Sequence, residues 1–263
     1  MKTLIIGAGG YISSTVLPAL NDLPDLHLGS KNHVNAINLA NEYSLKFFDL
    51  NKIKKEKFDL YFLALPTFEV CHFLQFLPDF SKVWLEKPLA ALDSDSLDEL
   101  DKLVKAKNLD VHCGLLKRSI VSTLNEPIKS IRYTCNVPIQ NNWKKIVSGG
   151  ANWVDGIHAI DLYYLANNHS FKDTNINIID NKLCVKHIEK PLEVNVGASG
   201  YDELYLNTKN ITKMLEYEKS QKFLRKQFIK FTCNHGNYDS VHKMQSEFKQ
   251  LENIVNLVNL KIG

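Results

Sequence analysis

Residues 3–12, Thr3-Leu4-Ile5-Ile6-Gly7-Ala8-Gly9-Gly10-Tyr11-Ile12, decide the fold. A short apolar run passes straight into glycines, and a helical pattern from Ser13 to Leu23 follows at once. Strand, tight glycine turn and helix in that order open a βαβ unit. Working outward, the same alternation repeats. Strands are predicted at Leu26–Gly29, Leu45–Phe48, Leu60–Leu65, Lys82–Leu85 and Asp110–Cys113, with helices at Val34–Tyr43, Glu69–Leu77 and Ser96–Ala106. The run from Leu60 to Leu65 is apolar throughout, as a strand covered on both faces requires. Residues 1-115 are therefore expected to form a doubly wound parallel sheet of the Rossmann type, an α/β domain.

After about Leu115 the pattern changes to longer, alternating strands, predicted at Ser130–Asn136, Lys182–His187, Leu192–Gly197, Leu204–Leu206 and Phe228–Thr232. A helix is predicted over Trp153–Ala166 and a long amphipathic one over Ser240–Leu257. Residues 116-263 are thus expected to be an α+β domain with a mostly antiparallel open sheet.

Composition narrows the function classes. With 44% hydrophobic and 23% charged residues, the chain is that of a globular protein. A net charge of +3, with lysines spread along the chain, argues against nucleic acid as a partner. The basic run Lys52 to Lys57 reads as a solvated face. The cysteines Cys71, Cys113, Cys135, Cys184 and Cys233 are odd in number and lack a Cys-x-x-Cys pair, so neither zinc nor a redox dithiol is expected. They read as reduced core residues. No apolar stretch approaches the roughly 20 residues that span a bilayer, and the first apolar run leaves no room for a signal peptide. The expectation is a cytoplasmic protein without a membrane partner.

A G-x-G element between strand and helix is the setting in which a backbone holds dinucleotide phosphate. Gly7 is expected to make the tight turn and Gly9 to admit the pyrophosphate at the helix N-terminus, with Gly10, Tyr11 and Ile12 completing the turn. The third glycine of G-x-G-x-x-G is replaced by Ile12, which should hold helix and strand farther apart. The second strand ends in Gly29-Ser30-Lys31-Asn32, without the carboxylate that takes the ribose 2′-hydroxyl of NAD. Ser30 and Lys31 are placed to donate to a 2′-phosphate, so NADP is the first expectation, with NAD left open.

Three further stretches resemble the glucose-fructose oxidoreductase / inositol dehydrogenase / rhizopine catabolism (Gfo/Idh/MocA) family. They are Leu85-Glu86-Lys87-Pro88; Gly149-Gly150 followed by Asp155-Gly156-Ile157-His158-Ala159-Ile160-Asp161; and Leu65-Pro66-Thr67 with His72. The resemblance implies an NAD(P)-dependent dehydrogenase or reductase acting on CH-OH groups of a sugar, inositol or nucleotide-sugar-like small molecule, with surface-polysaccharide pathways as a setting. It places Glu86, Lys87, Leu65 and Pro66 beside the cofactor and makes Lys87, His158 and Asp155 the catalytic group. A histidine titrates in the range that suits exchange of a hydroxyl proton, and a lysine stabilises a developing alkoxide. Asp155 precedes His158 by three residues where many members have four. Either spacing keeps the pair on one helix face, where Asp155 orients His158 or binds a substrate hydroxyl. Lys117-Arg118 reads either as a substrate-facing basic pair or as a solvated hinge. Trp143 and Trp153, which flank the Gly-Gly segment, read first as core and otherwise as the lining of a sugar-sized pocket, and Tyr163 and Tyr164 read as core and interface residues. The resemblance also implies a homodimer or homotetramer through the second sheet. The rival reading is a catalytically inactive dinucleotide-binding sensor or assembly subunit, prompted by Ile12 and the shifted Asp155.

Overall fold

The computed structural model describes residues 1–91, 95–118, 128–136, 151–179, 182–197, 203–206, 217–234 and 236–262. It divides into two compact units. The first holds Met1–Ala90, Asp95–Leu116 and Tyr217–Tyr238; the second holds Ala91–Ser94, Lys117–Glu216 and Asp239–Gly263.

In the first unit, β1 (Thr3–Ile6), β2 (Leu26–Gly29), β3 (Lys46–Phe47), β4 (Leu60–Leu63), β5 (Lys82–Leu85) and β6 (Asp110–Cys113) form a six-stranded sheet in the order β3-β2-β1-β4-β5-β6. Every pair is parallel. The direction of winding reverses between β1 and β4, which makes that point the topological switch where such sheets bind ligands. All residues of β1, β2 and β4 are buried, as strands with helices on both faces must be. Helices α2 (His33–Glu42), α3 (Thr67–Leu74) and α4 (Ser96–Ala106) return the chain between strands.

The first helix is irregular for a reason visible in its sequence. From Ile12 to Val16 it opens into a π-turn, the Leu17 N–H donating to Ile12 O, before closing as α1 (Leu17–Leu20). Pro18 has no N–H to give a carbonyl four or five residues back. Those two carbonyls are satisfied from outside: the Tyr43 hydroxyl donates to Ser13 O at 3.1 Å and Gln221 Nε2 to Ser14 O at 3.0 Å.

Gln221 belongs to α6 (Tyr217–Cys233), which corrects the expected simple cut between 1-115 and 116-263. This helix joins the core of the first unit through Leu224, Phe228 and Phe231, packed with Phe62 and Trp84. Arg225 fixes it further by donating to Ala19 O and to both carboxylate oxygens of Asp22. The strand predicted at Phe228–Thr232 is thus helical. Leu224, Phe228 and Phe231 recur at helical spacing, a period that shows only when the pattern is followed back to Leu224. Past the end of α6, Gly236 N–H donates to Asp110 Oδ1 at 2.7 Å and Asn237 Oδ1 accepts from Cys113 N–H at 2.8 Å. These bonds cover the edge strand β6. A Cβ on Gly236 would stand 1.8 Å from Val111 O, so only glycine fits there.

In the second unit, β7 (Ile131–Asn136), β8 (Thr174–Ile179), β9 (Lys182–His187), β10 (Leu192–Gly197) and β11 (Glu203–Leu206) form a sheet in the order β11-β7-β10-β9-β8. All its pairs are antiparallel except β7 with β10. Ile176, Val185, Val194 and Tyr133 form a buried cross-strand row. The adjoining row, Asn175, Lys186, Glu193 and Arg132, points to the other face and is polar. The helix α5 (Ala151–Ala166) packs flush on this sheet: a Cβ on Gly156 would stand 2.5 Å from Val196 Cγ1. The chain closes in α7 (Tyr238–Ile262). Strand β8 escaped the sequence reading because asparagines at Asn175 and Asn177 weaken its strand signal.

No described helix is long and apolar enough to cross a membrane, and no group of metal-ligating side chains occurs among the described residues. Of the described cysteines, all are free; Cys71 and Cys113 are buried as expected, Cys184 is partly buried and Cys233, on α6, is exposed.

Candidate active site

At the carboxyl edge of the parallel sheet, four strands deliver the expected nucleotide residues to neighbouring positions. Gly7 follows β1 at φ +130°, a conformation closed to L side chains. A Cβ there would also lie 2.7 Å from Ala64 O, so the turn is glycine for two independent reasons. Its N–H donates to Gly29 O at 2.9 Å, tying the turn to the end of β2. Gly9 and Gly10 are exposed, and a Cβ built on either meets nothing within 4 Å. Their freedom is therefore not explained by packing. Backbone left open at the start of a helix, beside a switch point, fits a bound pyrophosphate. Ile12 is buried, its Cγ1 3.6 Å from where a Gly7 Cβ would be, and the π-turn begins at this residue.

After β2, Ser30 Oγ accepts from Asn32 N–H at 3.2 Å, and Asn32 Oδ1 caps α2 by accepting from Asn35 N–H. Lys31 is exposed and pairs with Glu69 Oε1 at 3.0 Å. After β4, Leu65 and Pro66 are partly buried, Pro66 serving as the N-cap residue of α3. His72 sits on the exposed side of α3, edge-on to Phe76 at 4.9 Å, outside this group.

After β5 come Glu86, Lys87 and Pro88, the Lys87–Pro88 peptide being cis. Glu86 is hydrogen-bonded by two side chains. Trp84 Nε1 donates to its Oε1 at 2.9 Å, and the Tyr11 side chain hydrogen-bonds it as well. Tyr11 thereby links the glycine turn to the strand end that carries Lys87. Burial pushes the Glu86 carboxyl up to about 7, against the opposing pull of Trp84, the Lys87 charge and Tyr11. Gly114, at the end of β6, is required by the same cluster: a Cβ would stand 2.7 Å from Glu86 Oε1 and 3.0 Å from Trp84 Nε1.

In the second unit, His158 lies partly buried on α5. Asp155 lies one turn earlier on the same helix, and its side chain is outside the described residues, as are Gly149, Gly150, Trp143 and the side chain of Trp153. Tyr163 and Tyr164 are core residues, as expected. The pair Lys117-Arg118 is neither a solvated hinge nor a pair of free cations. Lys117 Nζ stands 4.4 Å from the Tyr133 ring centroid, and Arg118 makes a bidentate ion pair with the fully buried Asp161. Its remaining nitrogen donates to Ser240 Oγ at 3.1 Å.

The sequence reading missed the Trp84–Glu86–Tyr11 connection and the Lys31–Glu69 pair. The first had a signal, since residues two apart on a strand share a face. The second had none, because Glu69 belongs to a different βα connection.

No family model matches the chain, and no curated protein matches it. Solved structures do. A Gfo/Idh/MocA family oxidoreductase from Vibrio cholerae matches with a TM-score of 0.72, covering 98% of this chain and 99% of its own at 14% identity. The chain has the Gfo/Idh/MocA oxidoreductase fold. A myo-inositol 2-dehydrogenase from Lactobacillus plantarum matches at TM-score 0.70 and 15% identity, over 98% of this chain and 97% of its own. A 3-ketoreductase from Actinomadura kijaniata, in complex with NADP and TDP-benzene, matches at 0.66 and 13%, over 95% and 96%. Within the Gfo/Idh/MocA fold of this chain, the open glycine backbone, Lys31 and the Glu86-Lys87 strand end all lie on the edge where a parallel sheet takes its ligand.

Proposed function

We propose that the protein is an NAD(P)-dependent oxidoreductase that moves a hydride between nicotinamide and a hydroxyl or carbonyl carbon of a polyhydroxylated small molecule, a sugar, inositol or nucleotide sugar. The observation that carries this reading is the open Gly9-Gly10 backbone at the switch point, hydrogen-bonded through Tyr11 to the strand end bearing Lys87. The names of the fold relatives, an inositol dehydrogenase and a ketoreductase bound to NADP, support the substrate class and NADP as cofactor.

Bound nicotinamide supplies the two-electron carrier. This chain supplies the rest. Gly7, Gly9, Gly10, Tyr11 and Ile12 form the pyrophosphate turn, Ser30 and Lys31 meet the adenosine ribose, and Leu65 and Pro66 flank the dinucleotide. The Lys87 ammonium stabilises negative charge on the substrate oxygen, in a site where low dielectric strengthens that interaction. His158 exchanges the hydroxyl proton. Asp155 orients His158 or takes a second substrate hydroxyl. The second unit binds substrate and, through the polar row of its open sheet face, associates with another copy as a homodimer or homotetramer. The setting we propose is cytoplasmic surface-polysaccharide biosynthesis.

The test is titration with NADPH and NADH by nicotinamide fluorescence, followed by a hydride-exchange screen over sugars, inositols and nucleotide sugars. Wild type should bind at least one nucleotide. Lys87→Met and His158→Asn should keep that binding and lose about 10²-fold or more in kcat. No binding of either nucleotide refutes the reading, and binding without hydride exchange on any substrate makes the protein a sensor or assembly subunit instead.

A further inference from the structure

Strand order sets β1 between β2 and β4. Lys31 follows β2, and Glu69 lies in the first turn of α3, beyond β4. Lys31 Nζ and Glu69 Oε1 are nevertheless 3.0 Å apart, so the ion pair spans the carboxyl end of β1 where the Gly7 turn begins. Viewed along β2 alone, this edge holds a cation and no carboxylate. The fold brings the carboxylate from the other side of the switch point.

We propose that Glu69 is a specificity-determining residue of the nucleotide site, so that the Lys31–Glu69 pair, rather than Lys31 alone, sets the balance between NADPH and NADH. This rests on the nucleotide reading above. A ribose 2′-phosphate drawn to Lys31 comes within a few ångströms of the Glu69 carboxylate, and the like charges repel. A 2′-hydroxyl adds no charge and is a donor that a carboxylate accepts. Glu69 thus weakens the preference for phosphate that Lys31 confers.

The two partners are not equally mobile. The Lys31 side chain is 60% exposed on a flexible four-carbon stem, whereas that of Glu69 is 21% exposed on a helix. Glu69 also stands in the first turn of α3, where the helix dipole favours a negative charge. The carboxylate is the fixed member, and Lys31 is the one that can turn toward a phosphate.

The experiment measures dissociation constants for NADPH and NADH on wild type, Glu69→Gln and Lys31→Met, with thermal unfolding as the folding control. Glu69→Gln should tighten NADPH about two- to fivefold, the range an exposed ion pair spans, and leave NADH unchanged or weaker. Lys31→Met must move the ratio the other way, and Glu69→Ala, measured in the same way, carries the test if Glu69→Gln fails to fold. The gain in Glu69→Gln should shrink at 1 M salt, where screening acts over about 3 Å. Equal changes for the two nucleotides, or an unchanged ratio, overturn the proposal while leaving the oxidoreductase reading intact. Failure of wild type to bind either nucleotide overturns that reading first and this inference with it.

Discussion

The raised Glu86 carboxyl makes the first unit's stability depend on pH in a defined direction. In the folded chain this group titrates at about 7, against 4.5 for an ordinary glutamate. Between those two pH values the native state binds the proton and the unfolded chain does not, so raising the pH favours unfolding. The stabilisation is complete below about pH 4.5, is lost as pH rises through 7, and changes no further above. At about 1.4 kcal/mol per pH unit, the displacement corresponds to about 3 kcal/mol. Glu86→Gln keeps an acceptor for Trp84 Nε1 and cannot ionise. Urea unfolding of wild type and Glu86→Gln should be followed at several pH values from 5 to 8. Amide exchange of β5 should be followed alongside, because it isolates the strand that carries Glu86. The wild-type curve should fall relative to the variant by about 2 kcal/mol between pH 5 and 7.5, the share of the displacement that lies in this window, and run parallel to it above. Parallel curves throughout would mean that Glu86 is not desolvated, and the account of the Trp84–Glu86–Tyr11 cluster would be wrong.

Two further predictions separate packing from binding. Gly7→Ala meets both a left-handed φ and Ala64 O at 2.7 Å, so it should cost about 2 kcal/mol or more in urea unfolding. Gly9→Ala meets no atom and should leave stability within about 0.5 kcal/mol of wild type while lowering nucleotide affinity; retained affinity would remove Gly9 from the pyrophosphate turn. In the second unit, Arg118→Met strands a buried Asp161 and should cost about 3–5 kcal/mol, whereas Arg118→Met with Asp161→Leu should recover most of that loss. A double variant as unstable as the single would show that Asp161 serves something other than the pair.

The alternation of apolar strands with helical periods was legible over the first 113 residues, and β2, β5, β6 and α4 fall where the pattern puts them. The glycine turn was legible as well, because a strand that breaks into glycines and restarts as a helix has few other solutions. Such features are local: they depend on periods of two or of three to four residues and on turn chemistry that a short window contains. The chain's sequence therefore determined by itself that a parallel sheet opens with a strand, a tight glycine turn and a helix.

What only the tertiary structure decided are choices of partner between distant segments. Gln221 reaches Ser14 across 207 positions, and Arg225 reaches Asp22 across 203, which is how a helix from late in the chain comes to complete the first unit's core. Arg118 with Asp161, and Lys31 with Glu69, are likewise pairs that no local window contains. A charged side chain in a sequence states what it can bind, but burial and strand order determine which opposite charge stands within reach. For Lys31 that order sets a carboxylate beside the cation, because β2 and β4 flank β1.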